Sequence, residues 1–295
     1  MKGLSKKENF LGIAEKELYS YEKSKYVIQQ APYEYTSSYL AGSDKGPAAI
    51  VNASQFVELY DEELGLETFR KCGIATVAAI KFGKKDVDAK AVKLIEDATA
   101  TLIADGKYVV SIGAEHTVTL GFVRAHAKKY KNLSVLQIDA HSDLRESYND
   151  NIYSHASVMK RVHDDGHNLV QIGIRAQCIE EAQLIKKSKK ITTFYAHDVR
   201  RDNKWMDKAL AALGDHVYLT IDADGFDPSI MPAVGTAEPR GLYWDETLIF
   251  LHKVIKSKKV VGFDVVECAP MKGTILSEYT LAKLIYRLIG YLETK

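Results

Sequence analysis

The sequence predicts an α/β protein: a three-layer α-β-α sandwich around a mostly parallel sheet of about eight strands. Three observations predict it. Short apolar runs rich in β-branched residues recur along the chain, longer stretches with apolar residues near i, i+3 and i+4 separate them, and the polar motifs stand directly after several of the runs. Near-continuous apolar strands alternating with helices belong to parallel sheets covered on both faces. Such sheets bind ligands beyond the carboxyl ends of their strands, where these polar motifs fall.

The runs, in order, are GPAAIV (46–51), GIATVAAI (73–80), KYVVSIG (107–113), LSVLQID (133–139), NLVQIGI (168–174), KITTFYA (190–196), HVYLTID (216–222) and KVVGFDV (259–265). Helical periodicity marks 87–106 and 119–132. A third helix, 203–215, opens on Asn203, a good N-cap residue, and has Gly214 near its end. The patterns WDETLIFLHKVIKS (244–257) and SEYTLAKLIYRLIGYL (277–292) complete the set. No low-complexity segment, fixed-period repeat or Pro/Ser-rich linker interrupts the series. Residues 1–295 therefore read as one domain, with 1–25 as an N-terminal extension.

Composition excludes several classes of function. With 46% hydrophobic residues the chain can bury a sizeable core. Lys+Arg number 40 and Asp+Glu 39, so no net field draws nucleic acid or an anionic membrane. No apolar run approaches the roughly 18–20 residues of a membrane span. In the opening MKGLSKKENFLGIAEKELYS the apolar stretch is too short for a secretory leader. Cys72, Cys178 and Cys268 are scattered and odd in number, which suits reduced thiols rather than a disulfide framework. Together these features read as a cytoplasmic protein. His126, His163, His167, His197, His216 and His252, in helical patterns or at strand starts, read as solvated or structural. The cluster Tyr19, Tyr21, Tyr26, Tyr33, Tyr35 and Tyr39 is a candidate subunit contact, because tyrosine is enriched at interfaces.

Four of the runs deliver carboxylates and imidazoles to one edge. KYVVSIG leads into Glu115 and His116, LSVLQI into Asp139, His141 and Asp143, HVYLTI into Asp222, Asp224 and Asp227, and KVVGFDV into Glu267. Positions 139, 141 and 143 share one face of an extended chain. Taken singly, DxHxD reads equally well as a polar strand end, and DADGFDP as turn chemistry around Asp-Gly and Asp-Pro. Taken together, His116, Asp139, His141, Asp143, Asp222 and Asp224 supply more ligands than one ion needs. Two divalent ions about 3.5–4 Å apart would use them all. Hard oxygens with some imidazole and no thiolate favour Mn²⁺, Mg²⁺, Fe²⁺ or Co²⁺ over a structural zinc. Without metal, four clustered carboxylates would repel and some would protonate. Two ions lower the pKa of a shared water, and a core left slightly negative suits hydrolysis of a cationic carbon such as a guanidinium.

These motifs resemble the ureohydrolases, the arginase/agmatinase superfamily. The matching pieces are IGAEHT (112–117), IDAHSD (138–143), TIDADGFDP (220–228) and GFDVVECAP (262–270), in the family's order. APYEYTSSYLAGSDKGPAAIVNAS (31–54) is similar to its N-terminal signature, so the resemblance spans roughly residues 25–290. It implies an arginase-like α/β fold, two Mn²⁺ per subunit, assembly as a homotrimer or homohexamer, and cleavage of a guanidino group to urea and an amine. It also implies roles. His116 and Asp143 belong to one ion, His141 and Asp224 to the other, and Asp139 and Asp222 bridge them. Glu267 grips the substrate guanidinium, a strong and directional contact for a carboxylate. His155, in YSHASVM, passes a proton to the leaving amine, a task that Asp224 can share and that suits imidazole.

The identity of the guanidine follows from departures. DAHSD is followed by LRESYNDNIYSHA, similar to agmatinases, and IGIR (172–175) by Ala176-Gln177-Cys178 with no acid. Both argue against arginine and for agmatine, giving putrescine and urea. Aminopropyl-agmatine, 4-guanidinobutyrate, arginine and formiminoglutamate are the alternatives. A catalytically silent metal-binding homologue is the rival outside enzymes. Arg145 and Glu146 are candidates to line the pocket. Arg240, where the family commonly has Gly, stands near the expected pocket mouth, where a cation would repel an amine tail or meet a neighbouring subunit.

Overall fold

A computed structural model describes residues 2–202 and 204–295. Its centre is one eight-stranded sheet made of β1 (Tyr26–Ala31), β2 (Ile74–Thr76), β3 (Tyr108–Gly113), β4 (Ser134–Ile138), β5 (Asn168–Ile174), β6 (Ile191–Tyr195), β7 (His216–Asp222) and β8 (Lys259–Val266). The spatial order is β2-β1-β3-β8-β7-β4-β5-β6. Every strand pairing among the described residues is parallel. The helices are α1 (Gly46–Ser54), α2 (Thr68–Cys72), α3 (Ala89–Ala104), α4 (Thr119–Lys129), α5 (Val158–Asp164), α6 (Ile179–Lys187), α7 (Ala196–Val199), α8 (Lys204–Ala212), α9 (Trp244–Ser257) and α10 (Leu276–Glu293). The expected N-cap, Asn203, lies outside the described residues.

Alternation along the strands builds the two interfaces of the sandwich. In β4, Leu136 and Ile138 join the apolar cluster that includes Ile50 of α1, Trp205 of α8, Leu251 of α9 and Ile285 of α10. Val135, beside them in sequence, packs into the cluster of Ile95 of α3, Phe122 of α4 and Val162 of α5. Side chains of period two on a strand thus feed a helical layer on each face, giving three layers.

Two of the expected elements differ. Residues 46–51 form the start of α1, not a strand. A short apolar run has no periodicity to separate strand from helix. Pro47 in the first turn is the local signal for a helix, since its ring presets φ and its missing N–H goes unneeded there. The strand expected there is instead β1, YVIQQA. Its two glutamines disguise it, yet both are buried, and Gln29 Oε1 accepts a 2.9 Å hydrogen bond from Thr99 of α3. The run 73–80 pairs as a strand only over Ile74–Thr76.

The residues before β1 pack onto the domain. Phe10, Leu11 and Ile13 are buried in the cluster of α1 and α10, and Asn9 exchanges hydrogen bonds with Ile74 and Thr76 of β2. Of the six clustered tyrosines, Tyr21, Tyr26 and Tyr33 are buried within this chain, so they are core rather than contact surface, while Tyr35 and Tyr39 are exposed. Among the described residues no helix is long and apolar enough to cross a membrane. Most important for the site, β3, β8, β7 and β4 are consecutive neighbours at the centre of the sheet. Their carboxyl ends point the same way, so residues from four distant stretches of sequence meet at one edge.

Candidate functional site

Each strand hands over its polar residues through a different local device. After β3 the chain turns at Glu115 into a short 3-10 turn, His116–Val118, that runs into α4. After β4, Asp143 sits at φ 53°, and after β8, Glu267 sits at φ 63°. Left-handed backbone is unfavourable for a residue with a Cβ, more so for Glu than for Asp, and it recurs where surrounding structure fixes a functional side chain. Glu267 is held there by its own N–H donating to Ala114 O at 2.7 Å. After β7 the turn Ala223–Gly225 is capped by Asp222, whose Oδ1 accepts from the Asp224 N–H at 2.8 Å. That turn lies directly against the end of β4. A Cβ on Gly225 would stand 2.8 Å from Asp139 N and 3.0 Å from its Cα.

All six expected metal ligands come together. His116 Nδ1 lies 3.0 Å from Asp139 Oδ2, 3.0 Å from Asp143 Oδ2 and 3.2 Å from Asp222 Oδ2. His141 Nδ1 lies 2.9 Å from Asp224 Oδ2 and 3.8 Å from Asp139 Oδ1. Two groups with metal-ligand spacing result, His116–Asp139–Asp222 and Asp139–His141–Asp224. Asp139 belongs to both, with one oxygen towards each imidazole. Asp222, expected to bridge as well, faces only His116 in this arrangement.

The donors fit a pair of hard divalent ions. His116 Nδ1 is fully buried and close to three carboxylate oxygens, yet it is aligned for a hydrogen bond with none of them. A buried, unpaired nitrogen aimed into a cluster of oxygens is a ligand set in need of a cation. The electrostatics agree. Burial, then the charges of Asp143 and Asp224, raise the pKa of Asp139. Burial, then Asp224 and Asp139, raise that of Asp222 well above the carboxylate range. Burial works against charged imidazoles, but the neighbouring aspartates outweigh it and hold His116 and His141 above the usual histidine value. Asp224 goes the other way: burial opposes its charge, but His141 and the Ala140 N–H keep it below the usual range. A dication between these groups would let all four carboxylates ionise and both rings lose their protons.

Glu267 and His155 both line the cavity over these groups, with Ser37, Ser38, Tyr39, Leu40, Gly235 and Thr236. Glu267 Oε1 accepts the His116 N–H at 2.6 Å. Burial, reinforced by the charge of Glu115, pushes its pKa well up; a cation placed beside it, such as a guanidinium, would offset that cost and favour the ionised carboxylate. His155 is half-buried, packed edge-on to Tyr148 with ring centres 5.7 Å apart.

Other residues support these, and sequence reading missed them. His116 Nε2 lies 3.0 Å from the Thr220 hydroxyl, which donates to Asp264 Oδ1 at 2.6 Å. Tyr218 and Thr119 donate to the other Asp264 oxygen. This chain ends in a buried carboxylate and fixes which way the His116 ring faces. Gln137 Nε2 donates to Asp139 Oδ2 at 2.7 Å, and Gln171 in turn donates to Gln137 Oε1. Arg175 donates to the carbonyls of Asp224, Phe226 and Glu238 and straps down the β7 turn. The signal was legible: Gln137, Gln171, Thr220 and Asp264 are polar interruptions inside apolar strands. Three expectations move. Glu146 is exposed and pairs with Lys160 and Arg161. Arg145 lies over the Tyr148 ring rather than at the cavity. Arg240 lines a separate hollow with Arg175, Tyr195 and His197.

Comparison with known proteins adds the following. The family model described as the arginase family matches residues 24–290. An N(1)-aminopropylagmatine ureohydrolase of Synechocystis sp. is 42% identical over 278 residues, 92% of this chain and 90% of its own. An agmatinase of Bacillus cereus is 35% identical, covering 85% of this chain and 86% of its own. The crystal structure of an agmatine ureohydrolase of Thermoplasma volcanium superposes with a TM-score of 0.83 at 29% identity, over 99% of this chain and 94% of that one.

Proposed function

The chain belongs to the arginase family and is an agmatinase-type ureohydrolase, and from that premise we propose that its substrate is a guanidine with a polyamine tail, N(1)-aminopropylagmatine. Water adds to the guanidinium carbon, the carbon–nitrogen bond to the tail breaks, and urea and a triamine leave. Two Mn²⁺ ions held by His116, Asp139, His141, Asp143, Asp222 and Asp224 would supply a nucleophilic water at neutral pH. The chain's own groups do the rest. Glu267 holds the guanidinium by charge-assisted hydrogen bonds. His155 gives a proton to the departing nitrogen, with Asp224 as a second route. Asp264, through Thr220, keeps the His116 ring from turning.

One observation carries the chemistry: Asp139 presents one carboxylate oxygen to each of two imidazoles, with a buried glutamate alongside. The tail rests on the Synechocystis relative, whose name specifies it and which matches along 92% of the chain. The cavity supports an uncharged or cation-tolerant mouth, since among the described residues its lining includes no Lys or Arg. That counts against arginine and 4-guanidinobutyrate, whose carboxylates need a partner. Agmatine is the second reading, favoured by the Bacillus cereus relative.

Urea release from Mn²⁺-loaded protein tests the reading across aminopropylagmatine, agmatine, arginine and 4-guanidinobutyrate, with formamide followed from formiminoglutamate. Aminopropylagmatine should give the highest kcat/KM, and the two carboxylated guanidines should be about a hundredfold lower or worse. A preference for arginine, or formamide as the only product, would overturn the assignment.

A further inference from the structure

We propose that Thr36 is a positioning residue that fixes the tautomer of the His155 ring, with Glu115 as its anchor; this rests on His155 being the proton donor to the leaving amine. Thr36 comes from the loop after β1, His155 from the turn before α5, and Glu115 from the end of β3, so three separate elements converge. The Thr36 hydroxyl stands 3.0 Å from His155 Nδ1 and 3.1 Å from Glu115 Oε2, and it accepts the backbone N–H of His155 at 3.1 Å. Glu115 Oε2 already accepts the backbone N–H groups of Tyr35 at 3.0 Å and Thr36 at 2.7 Å.

The assignment is a matter of counting protons. A hydroxyl has one proton to give and two lone pairs. Glu115 Oε2 takes two N–H donors, so it is an acceptor; a proton on that carboxyl would sit on Oε1, which is buried with no partner. The Thr36 hydroxyl oxygen stands 3.1 Å from Oε2, an approach that two acceptors make only with a proton between them, so the hydroxyl proton goes to Oε2 as a third, shared contact. Its lone pairs remain for the His155 backbone N–H and for Nδ1, and Nδ1 must carry a hydrogen to fill that contact. The ring is thereby held as the Nδ1–H form, leaving Nε2 as the nitrogen that gains and loses a proton. In the reaction, the carbon–oxygen bond forms, and the carbon–nitrogen bond breaks with its electron pair on the amine. Nε2, unprotonated at rest, takes up a proton released as the water adds, and that proton then passes to the amine's electron pair.

Without the hydroxyl, the ring loses its tautomer bias and one restraint on its rotation, while Glu267 and the aspartates are untouched. Thr36→Val keeps shape and removes the hydroxyl, whereas Thr36→Ser restores it. With aminopropylagmatine or agmatine, Thr36→Val should lower kcat about tenfold with KM within about twofold, and Thr36→Ser should recover most of the rate. A guanidinooxy analogue expels a weakly basic alkoxyamine that needs little help from an acid. On it the Thr36→Val deficit should shrink to about threefold or less. Metal content by elemental analysis should equal the parent's for both variants. The ring nitrogen shifts of ¹⁵N-histidine-labelled, magnesium-loaded protein should show His155 mainly as Nδ1–H in the parent and mixed in Thr36→Val. His155→Ala is the control for the underlying reading. If it leaves the amine substrates at full rate, the role of His155 fails. If it is impaired while Thr36→Val is not, or if the Thr36→Val deficit is equal on both leaving groups, the role of Thr36 fails.

Discussion

At the scale of single residues, Asp139 and Asp264 do unlike work. Asp139 lies between the two ligand groups, and an amide cannot offer two charged oxygens. Asp139→Asn and, by the family pattern, Asp222→Asn should abolish tight binding of the ion pair. Metal affinity should fall by at least about a hundredfold and urea release with it. Full activity in either variant would refute that residue's bridging role. Asp264 belongs to neither ligand group. It anchors Thr220, which orients His116, so Asp264→Asn should lower metal affinity by about 10–100-fold while leaving the ligand set complete. Titration with a competing chelator measures both effects.

At the scale of elements, close backbone contact sets the site as firmly as side chains do. The β7 turn approaches β4 at Gly225 with no room for a Cβ, the obstacle being backbone that cannot swing aside. Gly225→Ala should destabilise the fold by about 1–3 kcal/mol and weaken metal binding by moving Asp224 away from Asp139. Denaturant unfolding and metal content report the two. Helix α4 carries a different device. His126 is buried against Tyr218, its Nδ1 2.8 Å from Phe122 O and its Nε2 without a partner. Burial pushes its pKa down to about 4. The unfolded chain protonates this ring near pH 6.5 and the folded one does not, so stability falls as pH drops from 6.5 towards 4. A His126→Gln variant lacks that loss. Its disadvantage at pH 7 should shrink by about 2 kcal/mol at pH 5, and an unchanged gap in urea unfolding would contradict the depressed pKa.

At the scale of the whole molecule, the sheet concentrates acidic groups where only cations relieve them. Four aspartates and Glu267 meet at the centre of one edge, and in the absence of ions several must take up protons. Metal should therefore stabilise the fold as well as activate it. Adding Mn²⁺ at about a hundredfold over its Kd to chelator-stripped protein should contribute about 2.7 kcal/mol and raise Tm on the order of 5 °C. An unchanged Tm would argue against a bound pair. Tyr39, Phe56, Ile249 and Ile275 are large exposed apolar side chains. With the proposed trimer or hexamer, light scattering should give a mass three or six times that of one chain.

Much of this was legible in the sequence, because the physics involved is local. Strands such as SVLQI and HVYLTI declare themselves by apolar composition, and a motif such as DAHSD declares its ligands by their type and their place at a strand end, although the chain leaves the extended form there, with Asp143 at φ 53°. The six candidate ligands and Glu267 could be named for the same reason: each directly follows a recognisable strand. What sequence could not supply depends on neighbours distant along the chain. GPAAIV became a helix and YVIQQA a strand because packing, rather than periodicity, decides short apolar or half-polar runs. The order β3-β8-β7-β4 brings the four motifs together, and no stretch of sequence encodes it by itself. The partners of the site, buried Asp264 and Gln137 and half-buried Thr36, take on their roles only where three or four strands and loops converge. A hydrogen bond needs its two ends within about 3 Å, and only the folded chain brings residues a hundred positions apart to that distance.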